Sequence, residues 1–141
     1  MVEHDAYRPL PLLICVAVGS VRAEGPPVDF SRDVLPLLSD RCFQCHGPDA
    51  TNRVSDLRLD QRESATNVTQ GRGAVVPGNI GASELVRRIT STDPEIRMPP
   101  RGSQRQALTA AQVALLVKWV QEGAPWGQHW AFERPRRPEV P

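Results

Sequence analysis

The pentapeptide Cys42-Phe43-Gln44-Cys45-His46 constrains this 141-residue chain more than any other stretch. Two cysteines separated by two residues, with a histidine directly after the second, have a specific chemical use in covalent haem attachment. Both thiols add to the vinyl groups of the porphyrin and become thioethers. The short spacer puts both sulfurs on one side of a helical turn, toward one porphyrin edge. The adjacent imidazole then reaches the iron. On this reading Cys42 and Cys45 hold the macrocycle and His46 is the proximal iron ligand.

Two other chemistries use the same residue types. A zinc site needs four nitrogen or sulfur ligands. Once the N-terminal stretch is set aside, His129 is the one remaining candidate beside Cys42, Cys45 and His46, and adjacent Cys45 and His46 crowd a single tetrahedron. A thioredoxin-like dithiol sits at a strand-to-helix junction of an α/β pattern, and the sequence has no such pattern. A third reading makes the pair a disulfide in a colourless binding or structural module.

The rest of the chain reads as helices joined by turn-rich loops. Residues 28–46 lead into the motif as a helix, with Val34, Leu37, Leu38 and Cys42 at helical spacing. Asp29, Ser31 or Asp33 can cap its start, and Pro36 suits its first turn. Between Gly47 and Gly81 the periodicity is lost, with Val54, Leu57 and Leu59 as sparse apolar anchors. A loop of this length inside a compact domain is usually functional or wrapped around something. Residues 82–89 predict a short helix with Ser83 as N-cap and Leu85, Val86 and Ile89 inward. The last helix opens with a capping box, Thr109 and Gln112. Val113, Leu116, Val117 and Val120 form its apolar stripe, widened by Leu115 and Trp119. Gly123 supplies a left-handed stop and Pro125 blocks resumption. No strand signal and no internal repeat stand out.

A second iron ligand is available. Apart from the initiator, Met98 is the chain's one methionine, and it lies in the loop Arg97-Met98-Pro99-Pro100. Most methionines fill cores, but a loop of prolines and charged residues is a poor place for a filler. A thioether is a good sixth ligand for haem iron, and His/Met ligation raises the reduction potential. Pro99 and Pro100 stiffen the loop and so lower the entropic cost of holding the sulfur. His129 competes for this position but reads better as a packed or surface histidine. Arg53, Arg72, Arg97 and Arg101 lie in the expected haem-facing loops, where a guanidinium can pair with a propionate or remain solvated. Trp119 can pack on the macrocycle or serve the core equally well.

The N-terminal residues read as a targeting segment. Residues 10–21 form an apolar run, shorter than the roughly 20 residues of a membrane span. Val21-Arg22-Ala23 after it suits a signal-peptidase site, although Glu3 and Asp5 spoil the basic start. Residues 1–23 are therefore expected to be a signal peptide, with an uncleaved anchor as the alternative and lipidation at Cys15 weaker. The expected localisation is periplasmic or otherwise extracytoplasmic. Residues 24–27 read as a linker, 28–126 as the folded domain, and 127–141 as an extended Pro-rich tail. The net charge of +1 gives no reason to expect a nucleic-acid partner.

Taken in order, the segments 28–49, 57–60, 76–79, 83–89, 97–100, 108–126 and the His129-Trp130-Ala131-Phe132 tail resemble the planctomycete-type cytochrome c domain. The resemblance implies an all-α, small class I-like cytochrome c fold, with terminal helices packed together around one covalent haem c. It carries over Cys42 and Cys45 as attachment sites and His46 as proximal ligand, and supports Met98 as distal ligand. In that family the domain usually stands at the front of a larger exported protein, so the resemblance leaves open a truncated product, a fragment of a full-length version with further domains following Pro141, or a stand-alone version. The expected activity is one-electron transfer with an unidentified redox partner protein, without a separate catalytic constellation or a small-molecule substrate. The alternative is a haem-based sensor whose distal ligand can be displaced.

Overall fold

The computed structural model of the chain describes residues 25–103 and 105–127. The expected signal peptide, Cys15, His129 and most of the Pro-rich tail lie outside the described residues. The fold begins at Asp29, whose carboxylate accepts the Arg32 N–H at 2.8 Å and caps a π-helical turn, Phe30–Val34. This turn continues into α1 (Leu35–Arg41). Pro36 occupies its first turn, where a missing N–H leaves nothing unpaired. Val34, Leu37 and Leu38 are buried, as their helical spacing requires.

A one-turn helix, α2 (Phe43–His46), carries the motif directly after α1. A long loop leads to α3 (Arg62–Ala65), then to a small antiparallel hairpin of β1 (Val68–Thr69) and β2 (Arg72–Gly73). Helix α4 (Glu84–Thr90) follows, then a second loop, then α5 (Ala110–Gln121). The described residues are therefore mostly helical, as the sequence predicts. None of their helices is long and apolar enough to cross a membrane.

The two ends of the domain meet through aromatic packing. Trp119 of α5 is fully buried. Its ring lies 5.8 Å from that of Phe30 and 5.6 Å from that of Trp126, and the Phe30 and Trp126 rings are 4.5 Å apart. Each such pair adds about 0.5–1.5 kcal/mol beyond its area burial. Trp119 Nε1 donates to the Pro125 carbonyl at 3.0 Å, so its polar edge is satisfied inside the core. Trp119 belongs to this cluster and not to the cavity described below.

Both ends of α5 follow from local chemistry. Thr109 Oγ1 accepts the Gln112 N–H at 3.2 Å, and the Gln112 side chain accepts the Thr109 N–H at 2.9 Å. At the other end Gly123 has φ +94°; its N–H bonds the Val120 carbonyl, and the Ala124 N–H bonds the Trp119 carbonyl. This is the Schellman arrangement, which closes the helix before Pro125.

The middle of the chain differs from expectation in four places. Ser83 stands at the N-cap of α4 but makes no capping bond. Its buried hydroxyl accepts the Val76 N–H at 2.8 Å and donates to the Asn79 carbonyl at 2.7 Å, tying down the preceding turn instead. The β1–β2 hairpin is too short to leave an alternating pattern; Gln70 and Gly71 turn it with φ +53° and +75°. Helix α3 is a single turn. Val54 is 74 % exposed, so of the three expected anchors Leu57 and Leu59 pack on the core, and Val75, fully buried, is a further anchor between Gly47 and Gly81.

Candidate functional site

The site is built around the break between α1 and α2. The Cys42 N–H still bonds back to Leu38 at 2.8 Å, closing α1. The Cys42 carbonyl then accepts from both Cys45 N–H (3.2 Å) and His46 N–H (2.9 Å), starting a new turn. One turn thus carries Cys42, Cys45 and His46 together, and both thiols are free. Gly47 ends the turn. A Cβ there would lie 2.6 Å from Phe43 Cβ and against the Phe43 carbonyl, so the close approach requires glycine.

The next stretch of chain, a strap over residues 54–59, doubles back over this turn. Val54 N–H bonds the Cys45 carbonyl at 3.1 Å, and Leu59 N–H bonds the His46 carbonyl at 2.8 Å. Between these two bonds, Ser55 Oγ lies 3.1 Å from His46 Nδ1. Burial pushes the His46 pKa down and Arg88 adds to this, while a hydrogen bond to the Leu57 backbone works in the opposite direction. Nδ1 engaged in this way leaves Nε2 as the nitrogen available to a metal. Burial, with Cys45 and Asp40 adding to it, pushes the Cys42 thiol up to about 12.

These residues face a cavity of about 410 Å³, within the size range of cofactor pockets. Its walls are Cys42, Cys45 and His46 from the motif turn, Leu57 and Leu59 from the strap, and Leu85 and Ile89 from α4. Met98, Pro99 and Leu108 from the loop before α5 complete it. The structure therefore brings together around one apolar cavity all four residues that the sequence singles out. Met98 N–H bonds the Arg88 carbonyl at 3.2 Å, which ties its loop to the end of α4.

The arginines are the main departure. Arg53, Arg72, Arg97 and Arg101 do not line the cavity; Arg41, Arg88 and Arg105 do. Arg53 donates to the Gly47 carbonyl at 3.4 Å and so braces the motif turn from outside. The sequence held signals for two of the missed residues. Arg41 directly precedes Cys42, and Arg88 lies four residues after Glu84, the spacing of a helical ion pair. Arg105 carries no such signal.

Among the described residues, the donor set fits haem. Among the described residues, no group of three or more His, Cys, Asp or Glu side chains could hold a metal ion. Two thiols on one turn, an adjacent imidazole, a thioether and apolar walls suit a porphyrin with axial nitrogen and sulfur ligation.

Residues 42–102 match the family model described as Planctomycete cytochrome C. Over this segment the chain is a planctomycete cytochrome c domain. The matched segment begins at Cys42 and runs past Met98, so it spans the motif turn, the strap, α4 and the first part of the loop before α5. No curated protein and no solved structure matches the chain. Membership of a cytochrome c family implies covalently bound haem c, and the cavity of this domain is where the thiols open.

Proposed function

We propose that this cytochrome c domain holds one haem c through Cys42 and Cys45, with His46 and Met98 as axial ligands, and passes single electrons to a partner protein. The observation that carries this is the convergence of those four side chains on one apolar cavity of about 410 Å³. Haem bound there would supply a one-electron Fe(III)/Fe(II) couple. The chain's own residues do the rest. His46 presents Nε2 because Nδ1 is engaged by the strap. Leu57, Leu59, Leu85, Ile89 and Leu108 exclude water, which limits the solvent rearrangement that accompanies a change of charge. With an imidazole and a thioether both committed to iron, no position is left for a substrate, so electron transfer fits better than catalysis. The apolar run at 10–21 followed by Val21-Arg22-Ala23 supports an extracytoplasmic location.

A second reading, a haem-based sensor, draws on the distal side. Met98 sits in an irregular loop and not on a helix, so its bond to iron is the easier one to displace. The visible spectrum of the exported domain, made with haem-attachment machinery, separates the possibilities. Electron transfer predicts covalent haem, a weak long-wavelength sulfur-to-iron band when oxidised, and slow, weak carbon monoxide binding when reduced. Rapid tight carbon monoxide binding would favour the sensor. A folded but colourless protein would overturn both.

A further inference from the structure

Two long-range side-chain bonds join the motif turn to the loop that carries Met98, and they run in opposite directions. Arg41, the last residue of α1 and the neighbour of Cys42, sends Nη1 to the Gln106 carbonyl at 3.2 Å. Arg105 answers from the loop: its Nε donates to Gln44 Oε1, between the two cysteines, at 3.1 Å. Asp40 stands beside both guanidinium groups, with Oδ2 2.7 Å from Arg41 Nε and Oδ1 3.6 Å from Arg105 Nη1. Arg41, Gln44 and Arg105 all line the cavity, so these bonds form part of its wall.

The consequence falls on Met98. Its loop has no regular structure between α4 and α5, and is tied at one end by the bond from Met98 N–H to the Arg88 carbonyl. Ser103 then bonds only within the loop, from its N–H to the Pro100 carbonyl and from its hydroxyl to the Arg105 carbonyl. Among the described residues, the next hydrogen bonds that leave the loop are those of Arg105 and Gln106 to the motif side. Beyond them lies the Thr109 cap of α5. A stretch fastened at both ends loses conformations, and a shorter stretch loses more of them. With the two bonds made, the free stretch ends at Arg105. Without them it runs on to Thr109, and more of its conformations carry the thioether away from the cavity.

Resting on the haem reading above, we propose that Arg41 and Arg105 are positioning residues: with Gln44 and Gln106 they clasp the methionine loop to the motif turn and keep the Met98 thioether seated. The clasp bears on both readings of the distal side. Closed, it keeps the sixth position filled, as electron transfer requires. Open, it frees that position for a small ligand. An incoming ligand binds only the fraction of molecules with Met98 displaced, so its apparent affinity reports the clasp directly. Gln44 is the informative partner, because it lies inside the motif and its side chain reaches the methionine loop through its bond with Arg105.

The test is imidazole binding to the oxidised holo domain, followed by loss of the sulfur-to-iron band. Wild type is compared with Gln44→Ala, Arg105→Gln, the double variant of these two, and Arg41→Gln. Arg97→Gln and Arg101→Gln are controls in the same loop but off the cavity wall. Gln44→Ala, Arg105→Gln and Arg41→Gln should each raise the apparent imidazole affinity about tenfold, the scale of one hydrogen bond to a charged group. The double variant should do no more than either of its single changes, because both remove the same bond. Gln44→Glu keeps an acceptor for Arg105 and should bind imidazole no more tightly than wild type. The controls should stay within about twofold of wild type, as surface changes do. Hydrogen exchange adds a readout that needs no added ligand. Met98 N–H should exchange faster in Gln44→Ala, while Val54 and Leu59 N–H, which bond the motif turn, keep their protection. Unchanged affinity in Gln44→Ala and Arg105→Gln, equal shifts in the controls, or a uniform rise in exchange at all three amides would overturn the clasp and leave the haem reading intact. If the arginine variants fail to mature, Gln44→Ala against Gln44→Glu decides on the same two readouts. A wild-type domain with haem but no sulfur-to-iron band overturns the clasp together with Met98 as ligand, and one without haem overturns the clasp and the haem reading together.

Discussion

Cys45 and His46 sit in a segment whose carbonyls are both taken by the strap that doubles back over it, at 3.1 and 2.8 Å. The imidazole itself is engaged at Nδ1, and the turn closes on a glycine that has no room for a side chain. Met98 is held by other means. Its loop has no helix or strand, and reaches α4 through a 3.2 Å bond from Met98 N–H to the Arg88 carbonyl. The motif side is over-determined by backbone bonds; the methionine side relies on prolines, one backbone bond and, further along the loop, side-chain bonds of Arg41 to the Gln106 carbonyl and of Arg105 to Gln44. The motif side should therefore fail as a unit, and the methionine side should give way singly, leaving the rest of the domain in place.

The largest effect should come from Gly47→Ala. The added methyl meets Phe43 at 2.6 Å from Cβ and 2.8 Å from Cα, and both atoms belong to the first residue of the motif turn. Overpacking against backbone costs about 1–3 kcal/mol, and here it also displaces the residues that would receive haem. Haem-attachment yield and the denaturant midpoint should both drop sharply. A variant that matures like wild type would show that the motif turn is less constrained than its bonding implies.

Met98→Ala should behave in the opposite manner. Covalent haem should be retained at near-normal yield, because nothing on the motif side is touched. The sulfur-to-iron band should vanish, and carbon monoxide should bind the reduced form readily. Loss of the thioether should favour the ferric state by at least tenfold, which is about 59 mV per decade for one electron. Persistence of the band would remove Met98 from the site. Loss of haem altogether would erase the contrast between the two sides.

What could be read from the sequence follows the same division. The motif, the capping box of α5 and its glycine stop are local devices, each written within a few residues, and the structure forms all of them. The place of Met98 on the cavity wall was legible because a lone methionine among prolines is hard to explain as packing. Arg41 and Arg105 were not legible as a pair, because their meeting depends on a loop 61 residues downstream of Gln44 folding back onto the motif. The Ser83 hydroxyl was misjudged for a related reason: an N-cap position is visible in sequence, but the competing Val76 and Asn79 groups reach it only through the turn before α4. The hairpin at 68–73 and the single-turn α3 are shorter than the periods that would reveal them.

Ser55→Ala probes the motif side more gently. It removes the hydroxyl 3.1 Å from His46 Nδ1, while the Leu57 backbone still offers an acceptor. Haem attachment should be unchanged. The iron–histidine stretching frequency of the reduced protein, measured in a Met98→Ala background, should fall slightly, because a weaker hydrogen bond makes the imidazole a poorer donor. A Ser55→Thr variant should restore it. An unchanged frequency in the alanine variant would mean that the Leu57 carbonyl alone orients the ring.

The smallest effect is expected at Glu84, on the methionine side. Hydrogen bonds from Arg87, and then from Arg88, hold its carboxyl down at about 2, against an ordinary value of 4.5. A depressed folded-state value means that the unfolded chain takes up the proton first as pH falls. The pair's stabilisation is therefore complete above about 4.5, declines as pH drops through that value, and is gone below about 2. About a third of the Glu84 side chain is exposed, so solvent screening keeps the full contribution within about 1 kcal/mol. Glu84→Gln should lower the thermal midpoint modestly at neutral pH, with the gap to wild type closing in acid. Because the Arg88 carbonyl anchors Met98, mild acid should also weaken the sulfur-to-iron band of the wild-type domain while haem stays attached. If the band and the global fold are instead lost together at every pH, α4 does not act as the separate anchor of the methionine side, and the two sides of the cavity are one cooperative unit.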